Sequence, residues 1–158
     1  MITLQNLIET LPQQGSVEWL GIRGARKLPL TPVEQVEATT DQGLEGDHYS
    51  KISGKRQVTL IQAEHLEAVA SMLGIDTIKP ETTRRNIVVR GINLLALKDR
   101  HFKLGDVILE FTSLCHPCSR METLLGPGGY NAMRGHGGIT ARVLHGGLIR
   151  LGDIVGVA

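Results

Sequence analysis

Seven short runs of β-branched and other apolar residues, bounded by Gly, Pro or Asp, constrain this chain more than any other feature. They lie at Val17–Ile22, Val33–Thr39, Gln57–Ile61, Asn86–Val89, Val107–Thr112, Thr140–His145 and Asp153–Val157, and each reads as a strand. One interior stretch has clear helical spacing: Ala63–Leu73, where Leu66, Val69, Ala70 and Leu73 form an apolar stripe and Gly74 stands as a C-cap glycine. So few helices between strands disfavour a parallel βαβ sheet. The hexamer Lys103-Leu104-Gly105-Asp106-Val107-Ile108 recurs as Arg150-Leu151-Gly152-Asp153-Ile154-Val155. Two such Gly-Asp turns feeding strands suit a closed barrel or a sandwich. The expected fold class is mainly β with a few helices.

At 158 residues the chain holds one domain's worth of core. Only five of its residues are Phe, Trp or Tyr, so that core is aliphatic and no aromatic platform for single-stranded nucleic acid is expected. A net charge of +1 gives no case for nucleic acid or an acidic membrane as partner. The first residues have no basic start and no unbroken apolar run, so a signal peptide is not expected, and the reading is cytoplasmic. Leu4, Leu7, Ile8 and Leu11 fall at helical spacing and predict a short amphipathic helix packed on the domain. A helix that binds a partner or builds a homodimer is the alternative.

Both cysteines lie in Cys115-His116-Pro117-Cys118, between an expected strand and a short helix over 119–125. Four readings compete. Structural zinc needs four ligands, and neither a second CxxC nor a familiar spacing to His136 or His145 supplies them. A thioredoxin-like dithiol has the right local context but wants a βαβ neighbourhood. Both thiols are small core residues in the third reading. In the fourth, Cys118 is the competent thiol, beside Arg120 and nearer the start of the helix, and suits a soft metal or sulfur chemistry.

Ten of the nineteen glycines follow residue 125, where Asp153 is the single acid against Arg134, Arg142, Arg150, His136 and His145. Such a segment suits an oxyanion held by backbone N–H groups, or barrel turns with solvated arginines. Gly43-Leu44-Glu45-Gly46-Asp47-His48-Tyr49 is a loop fit for a ligand contact or an acid–base pair, or a plain polar turn. Arg84-Arg85-Asn86 precedes a strand as a solvated end or as a fork for phosphate or carboxylate. No P-loop and no Gly-x-Ser-x-Gly elbow occurs, which argues against serine hydrolase chemistry.

These pieces together resemble a MOSC domain, the module named after the C-terminal part of molybdenum cofactor sulfurase. The likeness is carried in order by Gly43–His48, Arg56–Ile61 with Glu64, Arg85–Val89, Gly105-Asp106-Val107, Cys115–Arg120, Gly137-Gly138 with Arg142-Val143, and Gly152-Asp153. It implies a closed, pyruvate-kinase-type β-barrel over residues 15–158, preceded by a helical extension over 1–14. It also implies that the domain binds the molybdenum cofactor (molybdopterin) or handles sulfur for it. In these terms Cys118 is the metal ligand or persulfide carrier, and Cys115 is an addition. Arg84, Arg85 and Asn86 would contact pterin or phosphate, joined by Arg120, Arg134, Gly137, Gly138 and Arg142, with Asp47 or His48 as proton donor. Small stand-alone members look like reductases of N-hydroxylated small molecules. These 158 residues are not expected to hold a pyridoxal-phosphate domain or an electron-transfer module, so pyridoxal phosphate is not expected, and electrons or sulfur would come from a separate donor protein. The rival readings are a non-catalytic sulfur or cofactor carrier and a thiol-disulfide protein.

Overall fold

Each expected run contains a strand in the computed structural model, which describes residues 1–158. Gln35–Thr39 and Val107–Leu114 alternate in burial, whereas Val58–Gln62 and Ile87–Arg90 are largely buried on both faces. The first half of the chain forms α1 (Leu4–Glu9), β1 (Gly15–Ile22), β2 (Thr31–Pro32), β3 (Gln35–Thr39), β4 (Gly43–Leu44), β5 (Val58–Gln62), α2 (Ala63–Leu73) and α3 (Pro80–Thr83). The second half forms β6 (Ile87–Arg90), β7 (His101–Leu104), β8 (Val107–Leu114), α4 (Ser119–Leu125), α5 (Gly129–Met133), β9 (Ile139–His145), β10 (Gly147–Arg150) and β11 (Ile154–Val157).

Seven strands close a barrel, β1-β6-β5-β9-β8-β7-β11 and back to β1. All neighbours around the barrel run antiparallel except β5 and β6, which are parallel. Parallel neighbours need a crossover connection, and here it carries α2 and α3. The seven barrel strands are not the seven expected. Val33–Thr39 does contain a strand, but β3 pairs with β4 and β10 in a separate three-stranded sheet. Its place in the barrel is taken by β7, where Phe102 and Leu104 point inward while His101 and Lys103 face solvent. Two charged or polar residues in four hide that alternation from a search for apolar runs.

The two Gly-Asp turns do different jobs. Gly105-Asp106 joins β7 to β8 as a two-residue hairpin, since Leu104 pairs with Val107. The second carries the chain from β10 in the small sheet to β11 in the barrel, and the Gly105 N–H donates to the Ile154 carbonyl where the two meet.

Aliphatic side chains with Phe102 and Phe111 fill the barrel. A second cluster covers its outside: Ile61 and Val88 on the outer faces of β5 and β6 meet Leu66, Val69 and Ala70 of α2, Met121 of α4 and Met133 of α5. The α2 helix runs as expected and ends at Gly74 in the left-handed conformation. Met121 is fully buried, an anchor worth roughly 1.5–3 kcal/mol that fixes α4 to the barrel wall.

The N-terminal helix forms but does not pack as expected. A capping box between Thr3 and Asn6 starts α1, yet none of its residues is buried; Leu4 is 72% exposed and Leu7 60%. Six residues present too little apolar face to hold a helix down, and only Leu11, beyond its end, reaches the core. No helix is long and apolar enough to cross a membrane.

Candidate functional site

Two arginines ahead of β6 are held in unusual states. Arg84 closes α3 in the left-handed conformation (φ +63°), where glycine is the ordinary choice and a side chain costs roughly 1–2 kcal/mol. Its Nη2 is buried without a hydrogen-bond partner. Arg85 is 8% exposed; Nε donates to the Gly137 carbonyl at 2.8 Å and Nη1 to the Thr83 carbonyl at 2.9 Å. Burial pulls its pKa down and the positive Arg56 adds to that, while the charges of Cys115 and Cys118 oppose it. No carboxylate pairs with it. Asn86, next in sequence, is spent on the barrel. Its Oδ1 accepts from the Thr59 N–H and hydroxyl and its Nδ2 donates to the Gly21 carbonyl, tying β1, β5 and β6 together.

The cysteines are presented by the end of β8. The β8–β9 register slips between Phe111 and Ser113, the kind of bulge that re-aims a strand beside a site. Beyond it the Cys115 N–H donates to the Gly138 carbonyl at 2.8 Å. A Cβ on Gly137 would fall 2.0 Å from the Cys115 oxygen, and one on Gly138 (φ +83°) would fall 1.9 Å from the Leu60 oxygen. These two glycines let three backbone segments touch, and through Gly137 they also hold Arg85. Cys115 is buried, with Arg56 Nη2 3.9 Å from its Sγ. Cys118 is exposed at the N-cap of α4, its carbonyl accepting from the Met121 N–H.

Arg23, Arg56, Arg84, Arg85 and Arg120 line one cavity of about 400 Å³ together with Cys115, Cys118 and His116; no carboxylate lines it. A side lobe of about 110 Å³ shares Arg23, Arg56 and Arg84 and adds Asp47, Tyr49, Thr59 and the expected Asn86, whose side chain is already engaged by the barrel. Asp47 Oδ1 accepts from the Arg23 N–H at 2.8 Å, so the Gly43–Tyr49 loop positions Arg23. Gln57, fully buried, staples that loop down: Nε2 donates to the Thr40 and Lys51 carbonyls and Oε1 accepts from the Val143 N–H. The main cavity is cationic and free of carboxylates, with one exposed and one buried thiol. It can hold an anion by several guanidinium forks and meet a soft centre with sulfur. No group of three or more His, Cys, Asp or Glu side chains is placed to hold a metal ion, so a metal here must bring other ligands with it.

Cys118, Arg84, Arg85, Asn86, Arg120 and Asp47 thus come together around the cleft and its side lobe. His48 does not line it; its N–H donates to the Arg23 carbonyl and the residue is exposed. Arg134 is exposed and bonds Asn131. Arg142 points outward from β9, donating to the Ser53 carbonyl and lying 3.6 Å from Glu110. Arg23 and Arg56 were not among the expected site residues. For Arg56 a sign was available in the Arg56–Ile61 motif run; for both there was position, since each lies just beyond a strand end, Arg23 after β1 and Arg56 ahead of β5, as Arg85 lies ahead of β6.

A family model of the MOSC domain matches residues 42–156. A search of curated proteins finds no match. Among solved structures, the YuaD protein of Bacillus subtilis superimposes with a TM-score of 0.80 at 18% identity, over 92% of this chain and 97% of that one. The YiiM protein of Geobacillus stearothermophilus follows with a TM-score of 0.71 at 17% identity, covering 91% and 75% of the two chains. Its Escherichia coli namesake gives 0.68 at 16%, over 90% and 69%. At such identities these likenesses establish the fold.

Proposed function

The chain belongs to the MOSC domain family, and from that premise we propose that its arginine cleft holds a molybdenum cofactor, with Cys118 as thiolate ligand, for the reduction of an N-hydroxylated small molecule. The family is linked to that cofactor, and the residues present fit it. The observation that carries the reading is the unpaired cationic pair: Arg84 has a buried donor with no partner, and Arg85 has a buried charge with no carboxylate. Both needs are met by an anionic group such as the cofactor's phosphate. When bound, the cofactor would supply a redox-active metal, re-reduced by a separate protein.

The chain's own residues divide the remaining work. Two carbonyls hold the Arg85 guanidinium in place before any ligand arrives, so little ordering remains to be done on binding. Arg56 and Arg23 extend the anion-binding wall, and Arg120 stands on the cavity wall with Cys118. Asp47, fixed on the Arg23 N–H in the side lobe, is the proton donor better placed than His48, which lines neither lobe.

A second reading, Cys118 as a persulfide carrier, is favoured by the exposure of that thiol at the N-cap of α4. Elemental analysis of protein purified from a host that makes the cofactor separates the two. The proposal expects about one molybdenum per chain, lost in Cys118→Ser and kept in Cys115→Ser. Molybdenum-free protein that carries sulfane sulfur on Cys118, in wild type or in Cys115→Ser, supports the carrier, and stoichiometric zinc overturns both.

A further inference from the structure

Cys118 alone serves the proposed cofactor, yet both thiols of the CxxC line the same cavity. We propose that Cys115 is a resolving thiol: it attacks Cys118 when Cys118 carries a persulfide, expelling hydrosulfide and leaving a Cys115–Cys118 disulfide. The Cys115 thiolate attacks Cys118 Sγ. The bond from that Sγ to the outer sulfur breaks as the bond between the two cysteine sulfurs forms. The outer sulfur leaves with the electron pair as HS⁻, and the Cys115 sulfur is oxidised in its place. The Cys115 proton passes to solvent, and no outside oxidant is consumed.

Three observations support this. The first is access. Cys118 is exposed and Cys115 is buried, so a sulfur donor meets Cys118 first while the resolving thiol stays shielded from it. The second is charge. Arg56 Nη2 lies 3.9 Å from Cys115 Sγ, and the buried Arg85 guanidinium lines the same cavity as both thiols. The attacking thiolate and the departing hydrosulfide are both anions, and both form in a cavity lined by five guanidiniums and no carboxylate. The third is a fixed attacker. The Cys115 backbone is held by its N–H bond to Gly138 and by close packing on Gly137, whereas Cys118 sits in extended backbone at a helix cap, free of side-chain bonds.

The consequence reaches past the cofactor reading and does not rest on it. Sulfur delivered to Cys118 is released as sulfide unless another acceptor takes it first, and a dithiol reductant must then reopen the disulfide before a second turn.

The test uses the full chain, reduced, from a host that cannot make the cofactor, treated with one equivalent of sodium polysulfide. Wild type is expected to release sulfide and to yield a peptide cross-linked between Cys115 and Cys118 by mass spectrometry. Cys115→Ser and Cys115→Ala are expected to keep the extra sulfur on Cys118 and release sulfide about tenfold slower or less. Equal release from wild type and both variants overturns the proposal, as does wild-type protein that holds its persulfide without a cross-link. Should both variants fail to fold, the wild-type cross-link still decides. Molybdenum content plays no part in these outcomes, so a failure here leaves the cofactor reading standing.

Discussion

Two arginines bracket the same short strand, and their surroundings are opposite. Arg90 ends β6 with 43% of its side chain exposed, and it is held by two carboxylates, Glu18 at 2.7 Å and Glu67 at 2.6 Å. Hydrogen bonds to those acids push its pKa up. Arg85, just ahead of β6, is buried and has two carbonyls and no acid, and burial pulls its pKa down. A guanidinium that only stabilises the fold finds carboxylates wherever water can share the work. One kept buried without them is retained at a cost, and a ligand anion is the partner that offsets it. The difference separates a structural end of the strand from a binding end.

The strongest way to break that contrast is Arg85→Met. Hydrogen bonds to charged groups are worth about 1.5–3 kcal/mol, so the variant should bind the cofactor roughly tenfold or more weakly and lose molybdenum on dialysis that leaves wild type loaded. Full metal content in a folded Arg85→Met would show that the buried charge serves the fold alone. Arg84→Gly sharpens the same contrast from the backbone. Glycine relieves the left-handed strain, so thermal unfolding should move up by the equivalent of about 1 kcal/mol while molybdenum content falls. A gain in stability with loss of ligand is the mark of a residue kept for binding. An Arg84→Gly protein that is destabilised and still fully loaded would place Arg84 with Arg90 instead.

How far the molecule was legible in its sequence follows the same division. The barrel was legible because its strands are apolar and β-branched, and α2 because its stripe and Gly74 agree. What misled was membership. The β3 run looks as good as any barrel strand, and β7 looks worse, because burial on one face leaves His101 and Lys103 free to be polar on the other. At the site, Cys118 and the Arg84-Arg85 pair could be named because motif order singles them out. Arg56 stands in the same motif order, at the head of Arg56–Ile61, yet was not among the expected site residues. Arg23 lies outside that order, and its approach depends on Asp47 folding a distant loop back onto the barrel. The basic, glycine-rich tail suited either an oxyanion site or barrel turns with solvated arginines. In space Arg134 and Arg142 diverge from the cleft, while Gly137 and Gly138 serve close backbone approach.

Arg90→Met is expected to have the smallest effect, and it tests the other half of the contrast. Arg90 bridges Glu18 on β1 and Glu67 on α2, so it links the barrel wall to the crossover helix. Exposed ion pairs contribute little, because water already solvates both partners and long side chains lose freedom when paired. The α2 helix is in any case seated by Leu66, Val69 and Ala70 in the outer cluster, which the substitution leaves intact. Thermal unfolding of Arg90→Met should therefore fall only slightly, with molybdenum content unchanged. The fall should shrink further when wild type and variant are compared at high salt, since screening weakens the wild-type pairs as well. A large, salt-independent loss of stability would mean that Arg90 acts by packing its stem over the outer cluster. A loss of metal would mean that the far end of β6 transmits its position to Arg85, and the two ends of the strand would then have to be treated as one device.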